Sequence, residues 1–246
     1  MKQTFFFFFL LLSAGAGAQQ AQGVVTYERV EHWPRIISRL TFMSNEEKDR
    51  IKQTWGSTDE GWKQKMKLVF TPTQSLYVYG EAENTDGGYS WRRSEYAVAR
   101  NFEKETKAEL LEMLGRVYVL EDSLKAPNWK IMNQLKDIAG HVCMKAVTED
   151  PIRNQKITAW FAQDIESLAG PEQYFGLPGL ILELDINEGD VVVTATDVQL
   201  REVGKEAAVP KMKGKKIKQA DHDALITAHI RDSIKGYRNP FWALRY

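Results

Sequence analysis

The sequence predicts a mainly β (α+β) chain: a single curved antiparallel sheet, an open or half barrel, with a C-terminal helix packed on it. Three observations predict it. Segments alternating apolar and polar residues recur along most of the chain, turn formers separate them at short intervals, and one late amphipathic helix carries an apolar stripe that only a sheet face would bury.

In order, strands are expected at Val24 to Val30, at Leu68 to Phe70 and Leu76 to Tyr79 on either side of Thr71-Pro72, and at Arg116 to Leu120. They continue at Trp129 to Ile131, His141 to Val147, Ile157 to Ala162, Leu180 to Ile186 and Val191 to Leu200. About eight or nine strands in one antiparallel meander are implied, because the spacing leaves room for hairpins but not for parallel crossovers. Helices are expected at Asn45 to Trp55, capped by Ser44 or Asn45, and at Glu103 to Leu114, where Leu110, Leu111 and Leu114 recur at helical spacing. The clearest helix is Asp221 to Tyr237, with Ile226, Ile230, Ile234 and Tyr237 on one stripe and Gly236 near its stop. Asn84 to Gly88 reads as an exposed loop and Lys211 to Lys218 as a basic connector.

Composition narrows the function classes. With 33 Lys+Arg against 33 Asp+Glu, the chain has no net field to hold a nucleic-acid backbone or an anionic membrane by charge alone. The 43% hydrophobic content excludes disorder, and one cysteine excludes a disulfide-stapled miniprotein. Residues 19–246 are long enough to bury one core as a single domain.

The first segment belongs to export. Lys2 gives a positive start, Phe5 to Leu12 an apolar run, and Ala16-Gly17-Ala18 a small-residue cleavage pattern, so residues 1–18 read as a signal peptide. The run falls short of the ~20 residues that span a bilayer. A periplasmic or secreted location follows, and with no cysteine near the cleavage point the chain is not lipidated there. It is not expected to span a membrane.

The densest local signal is Gly170-Pro171-Glu172-Gln173-Tyr174-Phe175-Gly176-Leu177-Pro178-Gly179-Leu180-Ile181. Pro178 presets φ for the second turn position and Gly179 accepts a positive φ at the third, so Leu177 to Leu180 reads as a type II turn feeding a strand. The run Gly176, Leu177, Pro178, Gly179, Leu180, Ile181, together with Trp129-Lys130-Ile131, Gly140-His141-Val142-Cys143-Met144-Lys145-Ala146 and Ala159-Trp160-Phe161, resembles the GLPGLI family of exported Gram-negative proteins. His141 departs from that family's usual tyrosine. The resemblance implies an envelope location and an association with outer-membrane transporters. It carries over no catalytic residue, and the family's molecular function is unassigned.

Three chemistries are open to the residues. His141 and Cys143, at i and i+2 on a strand, share a face about 7 Å apart, and imidazole with thiolate suits copper or zinc. The rival reading is a small buried thiol in the core. His222 and His229 lie about 10 Å apart along the late helix, too far to share an ion. Glu183 and Asp185 share a strand face as an acid–base pair would, although a half-solvated strand has the same pattern. Trp129, Trp160, Phe161, Tyr174 and Phe175 are candidates for an aromatic groove taking an apolar ligand, and Trp91, Tyr27 and Trp33 are further aromatics that join either groove or core. The tail, with Trp242, Leu244 and Tyr246 alternating, reads as docked on the sheet or in contact with protein.

The expectation is therefore an envelope binding or interaction protein with an envelope or outer-membrane partner or an apolar ligand. No catalytic residue, cofactor or nucleic acid is expected. A copper- or zinc-handling protein and an envelope hydrolase stand as alternatives.

Overall fold

A computed structural model describes residues 21–55, 60–80 and 94–246. The expected signal peptide, the loop at 84–88 and Trp91 lie outside the described residues.

The chain forms β1 (Gly23–Glu31), α1 (Trp33–Ser38), α2 (Asn45–Trp55), β2 (Trp62–Phe70), β3 (Gln74–Tyr79), β4 (Tyr96–Asn101), β5 (Thr106–Met113) and β6 (Arg116–Ser123). It continues through β7 (Lys130–Ile138), β8 (His141–Asp150), β9 (Gln155–Ala162), β10 (Leu180–Ile186), β11 (Val191–Leu200), β12 (Lys215–Ile217) and α3 (Gln219–Lys235). All twelve strands belong to one sheet, ordered β12-β6-β5-β4-β3-β2-β1-β11-β10-β9-β8-β7 and not closed into a barrel. Two meanders, β1 to β6 and β7 to β11, join where β1 pairs with β11 from Gly23↔Leu200 to Glu31↔Val191. β7 also touches β11, four places away in the sheet, so this end curls upon itself.

Several expectations are refined. The stretch expected as a helix at Glu103 to Leu114 is strand β5, paired on both sides, with Val98↔Glu109 and Glu109↔Leu120 in register. Two ladders of backbone bonds and an inner face packed through Leu111 and Met113 outweigh the helical preference of its Lys, Ala, Glu and Leu residues. β5 adds one strand to the nine expected segments, and β4 and the three-residue β12, which carry too little alternation to be seen, bring the count to twelve; β12 pairs parallel to β6. α2 has the expected bounds, and Ser44 caps it: its hydroxyl accepts from Glu47 N–H at 3.2 Å while Glu47 Oε2 accepts from Ser44 N–H at 2.8 Å, a reciprocal capping box.

Opposed residues of a ladder share a face. The register Val25↔Leu68, Leu68↔Tyr77 and Tyr77↔Val98 therefore defines an inner face that also holds Tyr27, Arg29, Tyr96 and Arg100. On β9 and β10, Ile157, Ala159, Leu184 and Ile186 continue it, and nearly all of these are buried. α3 lies over the β5–β6 end, where Ile226 packs with Met113, Tyr118 and Leu244. Its buried positions are His222, Ile226 and Ser233, so the stripe turns outward toward its end and Ile234 and Tyr237 stay exposed.

Candidate functional site

The motif segment runs between β9 and β10 and folds onto the inner face. Leu177, Leu180 and Ile181 are buried, and backbone bonds from Gly176 N to Leu168 O (2.8 Å), Leu180 N to Ile165 O (3.1 Å) and Ile181 N to Ala169 O (3.2 Å) fix it internally. Tyr27 Oη donates to Ile181 O at 2.6 Å. The type II turn is not formed. Gly179 takes φ +151°, its N–H bonds Leu177 O, and Leu180 N turns to Ile165 instead. Gly179 is required for another reason: a Cβ there would sit 2.2 Å from Ala162 O.

Glu172, five residues before Leu177, points into the sheet from a left-handed backbone (φ 52°). Its carboxylate accepts from Tyr77 Oη at 3.2 Å and Tyr96 Oη at 2.8 Å. Arg245 Nε and Nη2 reach it at 2.8 and 2.7 Å, and Arg29 Nε at 3.0 Å. Arg100 donates to the carbonyls of Gly170 and Glu172. Burial alone would raise the Glu172 pKa, but Arg245 and Arg29 override it and hold the group at about 2. Burial pushes the Tyr77 and Tyr96 hydroxyls upward and the neighbouring Glu172 carboxylate adds to it. The Arg245 guanidinium also stands 3.9 Å from the Tyr96 ring centroid. Motif segment and tail thus form one latch across the inner face. Tyr246 completes it, its hydroxyl donating to Asp190 Oδ2 at 2.6 Å and accepting from Asn187 Nδ2 at 2.7 Å.

Beneath α3, between Glu109, Gln155, Glu172 and His222, a cavity of about 50 Å³ remains. Gln155 Nε2 is buried there without a hydrogen-bond partner among the described residues. His222 is held toward its neutral form chiefly by burial, against the opposing pull of Asp223 at 2.9 Å. The space suits a few waters and is well below the roughly 150 Å³ that admits benzene.

The expected aromatic groove is not one site. Trp129 donates its indole N–H to Phe175 O at 2.9 Å and its ring lies 6.0 Å from Tyr174, while Phe175 and Tyr174 are themselves buried. Phe161 is fully buried in the core. Trp160, next to it on β9, faces the other side of the sheet because successive strand residues alternate. There it lies between Lys136 and Lys145, whose ammonium groups are 5.7 and 5.9 Å from its ring centroid.

At the expected metal pair, His141 Nδ1 is 2.7 Å from Asp164 Oδ2, and Cys143 is fully buried with its Sγ donating to His141 O at 3.5 Å. Burial, with Asp164, Asp137 and Glu183 nearby, pushes the Cys143 thiol up to about 12, which disfavours the thiolate a metal needs. Among the described residues no group of three or more His, Cys, Asp or Glu is placed to hold an ion. Glu183 is engaged by Lys136 at 2.6 and 2.7 Å and Thr194 at 3.2 Å. Burial raises Asp185, whose carboxylate accepts from Gly189 N at 2.6 Å.

Sequence reasoning missed a second groove, of about 440 Å³, between α1–α2 and the tail. Ile37, Phe42, Met43 and Ile51 form its apolar lining and Tyr237 and Trp242 its rim. Phe42 meets Tyr237 edge-on at 6.1 Å, and Trp242 packs on Trp33 at 5.8 Å. Trp242 is 60% and Tyr237 77% exposed. The signal was present in the tail's alternation, which buries Leu244 and Tyr246 and turns Trp242 outward.

A family model described as "Protein of unknown function (Porph_ging)" matches residues 152–183, which include the motif. No curated protein matches the chain. Among solved structures the fold resembles part of PNGF-II, in its C2 and P21 crystal forms, at 14% identity and a TM-score of 0.54 in both. The match covers 84% of this chain and 32% and 33% of those chains, so this chain spans about a third of their length and the likeness is one of fold.

Proposed function

We propose that the chain is an exported GLPGLI-type protein that works as a binding or interaction module of the cell envelope, its partner an envelope protein, with an outer-membrane transporter the partner the family resemblance implies. The family match over residues 152–183 supports the GLPGLI-type assignment, and the apolar run with its small-residue cleavage pattern in residues 1–18 is what suggests export. The observation that carries the binding role is the exposed aromatic groove. Trp242 and Tyr237 leave large apolar surface in water beside a concave lining, a pattern that marks contact sites. The inner face, closed by the latch, contributes rigidity to this reading rather than ligand volume.

The test is affinity capture from envelope extract with the full chain and with a Tyr237→Ala/Trp242→Ala variant of unchanged circular dichroism. A partner retained by the parent and lost by the variant is expected. Identical sets captured by both would refute the groove as the contact site. Fractionation with N-terminal sequencing tests export: a mature protein beginning at Gln19 in the periplasm or medium is expected, and an uncleaved cytoplasmic chain contradicts it.

A further inference from the structure

Resting on that reading, we infer that the groove between α2 and the tail receives a cationic side chain, arginine or lysine, of a partner protein. The charge of the groove argues for it. Among the described residues its one charged lining residue is Glu47; the others are apolar or aromatic, apart from Asn239. Hydrogen bonds from Ser44 N–H and Oγ, at 2.8 and 3.0 Å, keep Glu47 ionised by lowering its pKa. Both engage Oε2, and among the described residues Oε1 has no hydrogen-bond partner.

Any occupant that covers this groove strips water from the Glu47 carboxylate. A neutral apolar segment would leave that charge desolvated with only the Ser44 hydrogen bonds and the field of Arg50 to offset it, and an acidic one would add repulsion. A cation removes the penalty and gains more, because the faces of Trp242, Tyr237 and Phe42 carry negative quadrupole density. Arginine fits best: its planar head stacks on a ring while its N–H groups meet a carboxylate. The volume of about 440 Å³ falls in the range of roughly 300–1,000 Å³ that holds drug-sized ligands, which leaves room for an arginine side chain together with part of its neighbours.

The test follows the Trp242 indole N–H of the ¹⁵N-labelled full chain, assigned by its loss in Trp242→Phe, during titration with acetyl-Gly-Arg-Gly-amide. The neutral isostere, with citrulline in place of arginine, is the control. The expected result is a saturable shift with the arginine peptide and binding about fivefold weaker with citrulline, as loss of roughly 1 kcal/mol requires. Glu47→Gln, which retains a capping side chain, should shrink the difference to what the rings alone contribute, and an undiminished difference would contradict the part given to Glu47. Equal binding of the two peptides overturns the cationic inference while leaving a binding groove. No shift with either peptide also overturns it, and the binding reading then stands only if partner capture still depends on Trp242. Shifts produced by raising protein concentration alone would assign the groove to a second copy of this chain, contradicting the inference.

Discussion

Arg245 grips Glu172 through both carboxylate oxygens, Nε donating to Oε2 at 2.8 Å and Nη2 to Oε1 at 2.7 Å. This bidentate pair ties the motif segment to the tail, and the same tail carries Trp242 to the groove. Removing the carboxylate leaves Arg245 buried without its counter-charge and Arg29 with Glu31 as its remaining carboxylate partner. Glu172→Gln should therefore lower unfolding stability in urea by roughly 3 kcal/mol. A loss below about 0.5 kcal/mol would show the cluster to be dispensable.

The same group fixes a pH dependence. Glu172 is near 4.5 when unfolded and about 2 when folded, held down by Arg245 and Arg29 against its burial. A depressed folded pKa gives stability that is present above the unfolded value and is lost as pH falls from about 4.5 to about 2. The size is about 3 kcal/mol. Urea midpoints measured across that window should fall more steeply for the parent than for Glu172→Gln. Parallel curves would contradict the assignment.

Gly179 and Gly140 provide a paired test of the motif. Both have positive φ, but a Cβ at Gly179 meets Ala162 O at 2.2 Å whereas none of the described atoms lies within 4 Å of one at Gly140. Gly140→Ala should cost about 1–2 kcal/mol from backbone strain. Gly179→Ala should cost at least about 3 kcal/mol, because backbone must move as well. Equal losses would remove the close-approach explanation of this glycine.

Cys143 should resist alkylation. With its thiol near 12 rather than 9, the thiolate fraction at pH 8 falls on the order of a thousandfold. Iodoacetamide labelling followed by mass spectrometry should be slower in the native protein by at least that factor than in denaturant. Comparable rates would mean that the thiol is accessible and ionised.

The fold was legible where alternation was long and punctuated. Val191 to Leu200 matches β11 at both ends, and Leu180 to Ile186 matches β10, because Pro178-Gly179 and Asn187 to Asp190 bound them. β5 was not legible, since Leu110 and Leu111 fit a helical spacing locally and only the ladders on both sides decide for strand. The latch was half visible: Arg29 shares strand parity with Val25 and Tyr27 and so faces inward. Its partner lies in the motif segment far along the chain, and no local pattern announces a contact made by folding. The motif was read as a turn, whereas Gly179 serves a close approach to Ala162 and Glu172 supplies the charge. The groove was hidden because Tyr237 fitted the helical stripe, which the structure turns outward.

A double-mutant cycle between Glu172→Gln and Arg245→Met, followed by equilibrium unfolding, tests most directly whether motif segment and tail act as one unit. A coupling of about 2 kcal/mol is predicted, because each substitution already breaks the contact that the other removes. Additivity within about 0.5 kcal/mol would contradict the account and leave the tail's position, and with it the groove, unexplained.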